Sequence, residues 1–137
     1  MEALKDFYKD KKILITGSSG FVGSWLSLTL NELDVDVYGI SLKTNTIPSL
    51  FNILQMDDHI DQSYVDINDR KNLFDTIEAI SPDIVFHLAA QPLVMESYKA
   101  PYETFNTNII GTLNVLEACD ALNNKNSLIL NSKLNVH

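Results

Sequence analysis

Residues Gly17-Ser18-Ser19-Gly20-Phe21-Val22-Gly23 set three glycines in a G-x-x-G-x-x-G spacing. That spacing suits the binding of an anionic diphosphate by bare backbone. Gly17 permits a tight turn, Gly20 lets a pyrophosphate approach without meeting a Cβ, and Gly23 lets a following helix pack closely on a sheet. The start of that helix adds unpaired N–H groups and the positive end of its dipole. Spaced glycines also serve turns and helix caps for purely conformational reasons, so a structural turn is the competing reading. Context separates the two, because the fingerprint requires a strand directly before and a helix directly after. Both are legible here. No Gly-Lys-Ser/Thr follows, which excludes a nucleoside-triphosphate P-loop.

A dinucleotide site also needs a group for the adenosine ribose, usually an acid ending the second strand. None is present: Val37-Tyr38-Gly39-Ile40 runs into Ser41, Leu42 and Lys43, and Asp34 and Asp36 come too early. A serine and a lysine there could face a 2′-phosphate, which hints at NADP; a solvated loop lysine is the rival reading. Asp66, followed by Ile67, is placed to touch an adenine amino group, and its rival role is an Asx turn ahead of the next helix. His87, in an apolar run, reads as a satisfied core histidine. The single cysteine, Cys119, excludes an internal disulfide framework and a cysteine-based metal site.

These residues need a scaffold. Lys12–Thr16, Val35–Ile40, Ser63–Val65, Ile84–Leu88 and Ser127–Leu130 read as strands, and helical periodicity falls between them. Pro48 fits the first turn of a short helix over 49–55. Asn68 or Asp69 caps a helix that ends at Ser81-Pro82. One long helix is expected from about Pro101 to Leu122. Continuous apolar strands alternating with helices imply right-handed βαβ crossovers and an α/β, doubly wound parallel sheet of about five strands, with its ligand at the strands' carboxyl ends. A chain of 137 residues fits one domain, with 45% apolar and 20% charged residues. Ten basic against eighteen acidic residues leave a net charge of −8, which argues against nucleic acid or an anionic membrane as partner. The charged start lacks the apolar core of a secretory signal, no run is long enough to span a bilayer, and a cytoplasmic setting is expected.

The motifs resemble the extended short-chain dehydrogenase/reductase superfamily, and the NAD-dependent epimerase/dehydratase family within it. They are Thr16-Gly17-Ser18-Ser19-Gly20-Phe21-Val22-Gly23-Ser24-Trp25-Leu26-Ser27, Val37-Tyr38-Gly39-Ile40-Ser41-Leu42, Pro48-Ser49-Leu50-Phe51, Phe86-His87-Leu88-Ala89-Ala90-Gln91-Pro92-Leu93-Val94 and Thr104-Phe105-Asn106-Thr107-Asn108-Ile109-Ile110-Gly111-Thr112. Gly-Ser-Trp-Leu-Ser, Pro-Ser-Leu-Phe and Ala-Ala-Gln-Pro-Leu-Val are similar to the CDP-glucose 4,6-dehydratases in particular. The resemblance implies a Rossmann-like fold and NAD as cofactor, since this family also tends to lack the ribose acid. It implies that Gly17, Gly20, Phe21 and Gly23 hold the pyrophosphate, that Asp66 and Ile67 flank the adenine, and that Leu88, Ala89 and Ala90 line the cleft. Asn108 resembles a residue that braces the fourth strand and the active-site backbone. Met95 stands where an arginine is expected, removing a charge that would serve phosphate or substrate contacts.

The implied reaction converts CDP-glucose to CDP-4-dehydro-6-deoxyglucose and water, in nucleotide-sugar biosynthesis. Its chemistry is expected around the fifth strand and beyond. Ser132 matches a substrate-binding serine, and Lys133 either replaces the family's aspartate or is its lysine displaced by one position. The family's Tyr-x-x-x-Lys pair comes later than the fifth strand, and Tyr98-Lys99 has the wrong spacing to replace it. The expectation is therefore one NAD-binding domain over 1–137 that stops before the catalytic base, has no separate substrate domain and is inactive alone. The alternatives are a non-catalytic dinucleotide-binding remnant, or part of another nucleotide-sugar dehydratase or epimerase. In the superfamily the long helix builds a dimer, so a homodimer through the helix around 101–122 is expected. Either its 105/109/112/116/119 stripe or the opposite one, Ile110, Leu113 and Leu122, should then be exposed.

Overall fold

A computed structural model describes residues 1–44, 47–122 and 128–131. Five parallel strands, β1 (Lys12–Thr16), β2 (Asp36–Ser41), β3 (Asp61–Tyr64), β4 (Ile84–His87) and β5 (Leu128–Asn131), lie in the order β3-β2-β1-β4-β5. The doubly wound Rossmann-like sheet expected from the strand pattern is thus present. The order reverses beside β1, and that is where such sheets open a crevice at their carboxyl ends.

Helices cover both faces, so the inner strands are apolar throughout. From β1, Ile13 and Ile15 point into a core with Leu30 of α2 (Phe21–Asn31) and Phe51 of α3 (Leu50–Ile53). Leu14 points the other way, toward Leu73 and Ile77 of α4 (Arg70–Ile80) and Val115 of α7 (Thr112–Ala121). Each core side chain is essentially sealed from water, and burying one such side chain stabilises by roughly 1.5–3 kcal/mol.

Local caps set the helix starts. Asp69 accepts the Asn72 amide at 3.2 Å and so caps α4, settling the choice between Asn68 and Asp69. Ser49 accepts the Asn52 amide at 3.2 Å, so Pro48 precedes the cap of α3 rather than sitting in its first turn. Two short helices, α1 (Glu2–Tyr8) and α5 (Val94–Lys99), were not expected; neither buries a residue, so neither carries an apolar stripe to read.

The single helix expected over 101–122 is corrected. It is α6 (Pro101–Phe105), a wide π-type turn over Asn106–Gly111, and α7. The wide turn shifts the helical phase, so the buried face is Gly111, Asn114, Val115, Ala118 and Cys119. Members of both expected stripes are exposed, namely Phe105, Ile109 and Leu116 of one and Ile110 and Leu113 of the other, while Cys119 faces the core.

Candidate functional site

At the carboxyl ends of β1, β2 and β4 lies a cleft of about 460 Å³. Gly17, Gly20, Phe21, Gly23, Asp66, Ile67, Leu88, Ala89 and Ala90 all line it, together with Ser41 and Thr107 among others. Ser132 and Lys133 lie outside the described residues. Tyr98 and Lys99 sit on exposed α5, away from the cleft, and Lys99 pairs with Glu96 at 3.2 Å.

The glycine turn is built as its spacing suggested. Gly17 takes φ +75°, its N–H donates to Ile40 O at 2.7 Å, and a Cβ there would lie 2.7 Å from the Ala89 nitrogen. A Cβ on Gly23 would lie 2.1 Å from Gly17 O, so α2 can approach the turn only with hydrogen at that position. At Gly20 a Cβ would meet only Gly17 O, at 3.2 Å. The first bond of α2 runs from Ser24 N–H to Gly20 O at 2.8 Å. The amides of Phe21, Val22 and Gly23 precede that bond, and Gly20 has no side chain to cap them. Donors at the positive end of a helix, beside an open glycine, are what a pyrophosphate requires. The cleft fits the phosphate part of a dinucleotide.

The opposite wall is a loop held from behind. Asp66 forms the Asx turn considered above, accepting the Asn68 amide at 2.8 Å, while still lining the cleft. Asn114, buried, donates to Ile67 O at 2.9 Å, and Asn68 donates to Thr107 Oγ1 at 3.1 Å. Beyond β4, Asn108 clasps the Gln91 backbone in both senses. It accepts the Gln91 N–H at 2.8 Å and donates to Gln91 O at 3.2 Å, so it braces the loop after β4. Gln91 turns its side chain back onto Leu93 and Thr104.

His87 is the core histidine expected, with Nδ1 2.6 Å from Thr16 Oγ1 and Nε2 2.9 Å from Thr112 Oγ1. Burial holds its pKa below the ordinary value. Burial likewise pushes the Cys119 thiol up to about 11, which keeps it protonated and unreactive at neutral pH.

A network under β2 was not foreseen. Ser18 donates to Gln62 Oε1 at 2.7 Å, and Gln62 Nε2 donates to Ser41 Oγ at 3.0 Å. The available signal was Gly39, opposite Gln62 in register, since a glycine inside a strand marks a close approach.

The parallel sheet, its reversal point and the glycine-lined cleft together define a Rossmann-like domain of the dinucleotide-binding type. A profile of the GDP-mannose 4,6-dehydratase family matches residues 14–132, and the chain belongs to that family. It is 42% identical to the CDP-glucose 4,6-dehydratase of Salmonella typhimurium, over 91% of this chain and 35% of that protein. A UDP-glucose 4-epimerase from Mycoplasma pneumoniae is 35% identical, over 88% of this chain and 35% of that protein. Among solved structures, a UDP-glucose 4-epimerase from Stenotrophomonas maltophila, with bound NAD and formylated UDP-arabinopyranose, superposes with a TM-score of 0.73 at 26% identity, covering 88% of this chain and 36% of that one. The chain thus spans about a third of the length of the relatives it matches.

Proposed function

We propose that this chain is the NAD-binding part of a CDP-glucose 4,6-dehydratase, acting in nucleotide-sugar biosynthesis in the cytoplasm. The observation that carries this reading is the open glycine turn with its uncapped amides, in a chain 42% identical to such an enzyme. NAD, when bound, would supply hydride-acceptor and hydride-donor chemistry. The chain's own residues bind and orient. The amides beside Gly17, Gly20, Phe21 and Gly23 receive the pyrophosphate, Asp66 and Ile67 flank the adenine, and Leu88, Ala89 and Ala90 exclude water along the remaining wall. Ser132 and Lys133 are assigned to the substrate end. CDP-glucose is the proposed substrate, and a homodimer through the exposed residues of α6, the wide turn and α7 is the proposed assembly. Among the described residues no helix is long and apolar enough to cross a membrane.

Two titrations test this. Calorimetry of the chain with NAD is expected to give saturable heat, and absence of both heat and thermal shift at millimolar cofactor defeats the reading. Joined to the remaining two-thirds of the Salmonella typhimurium relative, the chain is expected to turn over CDP-glucose in preference to GDP-mannose. Equal or reversed preference rejects the CDP-glucose assignment while leaving cofactor binding intact.

A further inference from the structure

We propose that Asn68 is a positioning residue through which adenosine, bound at one rim of the cleft, orders the loop after β4 at the other rim. The inference rests on the cofactor reading above and concerns what cofactor binding does to the substrate side. Asn68 lines the cleft beside Asp66, whose carboxylate accepts the Asn68 N–H at 2.8 Å. Its side chain reaches the wide turn by two bonds. Nδ2 donates to Thr107 Oγ1 at 3.1 Å, and Oδ1 accepts from Asn106 Nδ2 at 3.0 Å. The carboxamide is used at both ends, and a flipped amide would set donor against donor at Asn106. One residue further on, Asn108 grips the other rim in the same way, accepting the Gln91 N–H at 2.8 Å and donating to Gln91 O at 3.2 Å. Three consecutive residues thus hold both loops, and a displacement of Asn106 and Thr107 carries Asn108 with it.

The two rims differ in how firmly they are held. The loop after β3 has support besides Asn68, since Asn114 donates to Ile67 O at 2.9 Å and the Asp69 N–H donates to Asp66 O at 2.9 Å. In the loop after β4, Ala90, Pro92 and Leu93 are exposed. The Gln91 and Leu93 amides are held by side chains, of Asn108 at 2.8 Å and of Gln91 itself at 2.6 Å, rather than by a strand. Segments held in this way open locally at little cost. A ligand that touches Asp66, Asn68 and Thr107 favours the arrangement in which Asn68 is seated on the wide turn, and with it the closed loop after β4. A diphosphate on the glycine turn offers a rival route, because Gly17 packs so closely that a Cβ on it would lie 2.7 Å from the Ala89 nitrogen. Only the first route runs through Asn68.

The test is amide exchange of the whole chain without ADP and with ADP at saturation, set by calorimetry for each protein. ADP is expected to slow exchange at Gln91 and Leu93 at least about fivefold in the parent, and at most about half as much in Asn68→Ala. A merely structural Asn68 would quicken exchange equally with and without ADP; a ratio equal to the parent's overturns the proposal and assigns the effect to the glycine turn. Thermal melting checks that the variant folds. If it does not, Asn106→Ala carries the same expectation, because Asn106 does not line the cleft and its loss removes a tie without touching the ligand. If ADP binds the parent and leaves the loop unprotected, only this inference falls. If ADP, which is part of NAD, does not bind, the cofactor reading falls and takes this one with it.

Discussion

His87 shows how much one side chain settles in this fold. Thr112 donates its hydroxyl proton to Asn108 O at 2.8 Å, so toward His87 it can only accept, and Nε2 must carry the hydrogen. Thr16 Oγ1 accepts the Ala89 amide at 3.3 Å and donates its own proton to Nδ1 at 2.6 Å. One neutral tautomer therefore satisfies a chain of bonds from the wide turn, through β4 and β1, to the Ala89 backbone in the cleft. Protonation would put a second hydrogen on Nδ1, against a hydroxyl that is already donating. Burial lowers the folded-state pKa from the ordinary 6.5, so between the two values the unfolded chain binds a proton that the folded chain does not. The contribution of His87 to stability is complete above pH 6.5 and declines as pH falls toward the lowered value. The slope is at most on the order of 1.4 kcal/mol per pH unit. Urea midpoints at several pH values between 7.5 and 5 (a range of about two and a half units) should fall less steeply in His87→Gln than in the parent chain. Parallel slopes in the two proteins reject a buried neutral histidine.

At the scale of elements, the segment from α6 through the wide turn to α7 acts as a frame for both rims of the cleft. Thr104 and Asn108 hold the loop after β4, and Thr107 and Asn114 hold the loop after β3. A regular α-helix advances about 100° per residue, and the wide turn resets that phase midway, so one short segment serves two loops. Gly111 closes the packing, since a Cβ there would lie 2.5 Å from Ile67 Cδ1. Removing one of these ties should be costly where it is buried. Asn114→Ala leaves the Ile67 carbonyl without its donor and is expected to lower stability by about 1–3 kcal/mol. Amide exchange over residues 66–69 should quicken more than in the strands; a uniform change, or none, contradicts the framing role. The sequence showed the strands plainly, because parallel strands covered on both faces read as continuous apolar runs: Ile13-Leu14-Ile15 and Ile84-Val85-Phe86 are examples. It showed the cleft through Gly17, Gly20 and Gly23, which have a meaning only glycine can supply. It could not show the wide turn, because Thr104 to Thr112 carries no residue that forbids a regular helix. Gly39 signalled a close approach within its strand, but not that Gln62 of the neighbouring strand makes it.

For the molecule as a whole, the frame has an outer side. Phe105, Ile109, Ile110, Leu113 and Leu116 are all at least two-fifths exposed, on one stretch of chain whose opposite face seals the core. Contiguous apolar surface on this scale favours association in water. A net charge of −8 on a 15.4 kDa chain opposes it. The two effects differ in range: burial of apolar side chains acts on contact, while charge repulsion extends over the Debye length, about 30 Å at 0.01 M salt and about 10 Å at 0.1 M. Salt should therefore strengthen self-association, the reverse of what an interface built on ion pairs would do. The exposed Arg70–Glu117 pair, which ties α4 to α7 within one chain, contributes little either way. In sedimentation velocity the chain is expected to move from 15.4 kDa toward twice that mass as concentration and salt rise. Ile109→Lys with Leu113→Lys should hold it monomeric at every salt concentration, because each lysine would have to lose its hydration within the contact. A parent chain that stays monomeric throughout excludes this face as a self-association surface, and a double variant that still associates moves the contact elsewhere.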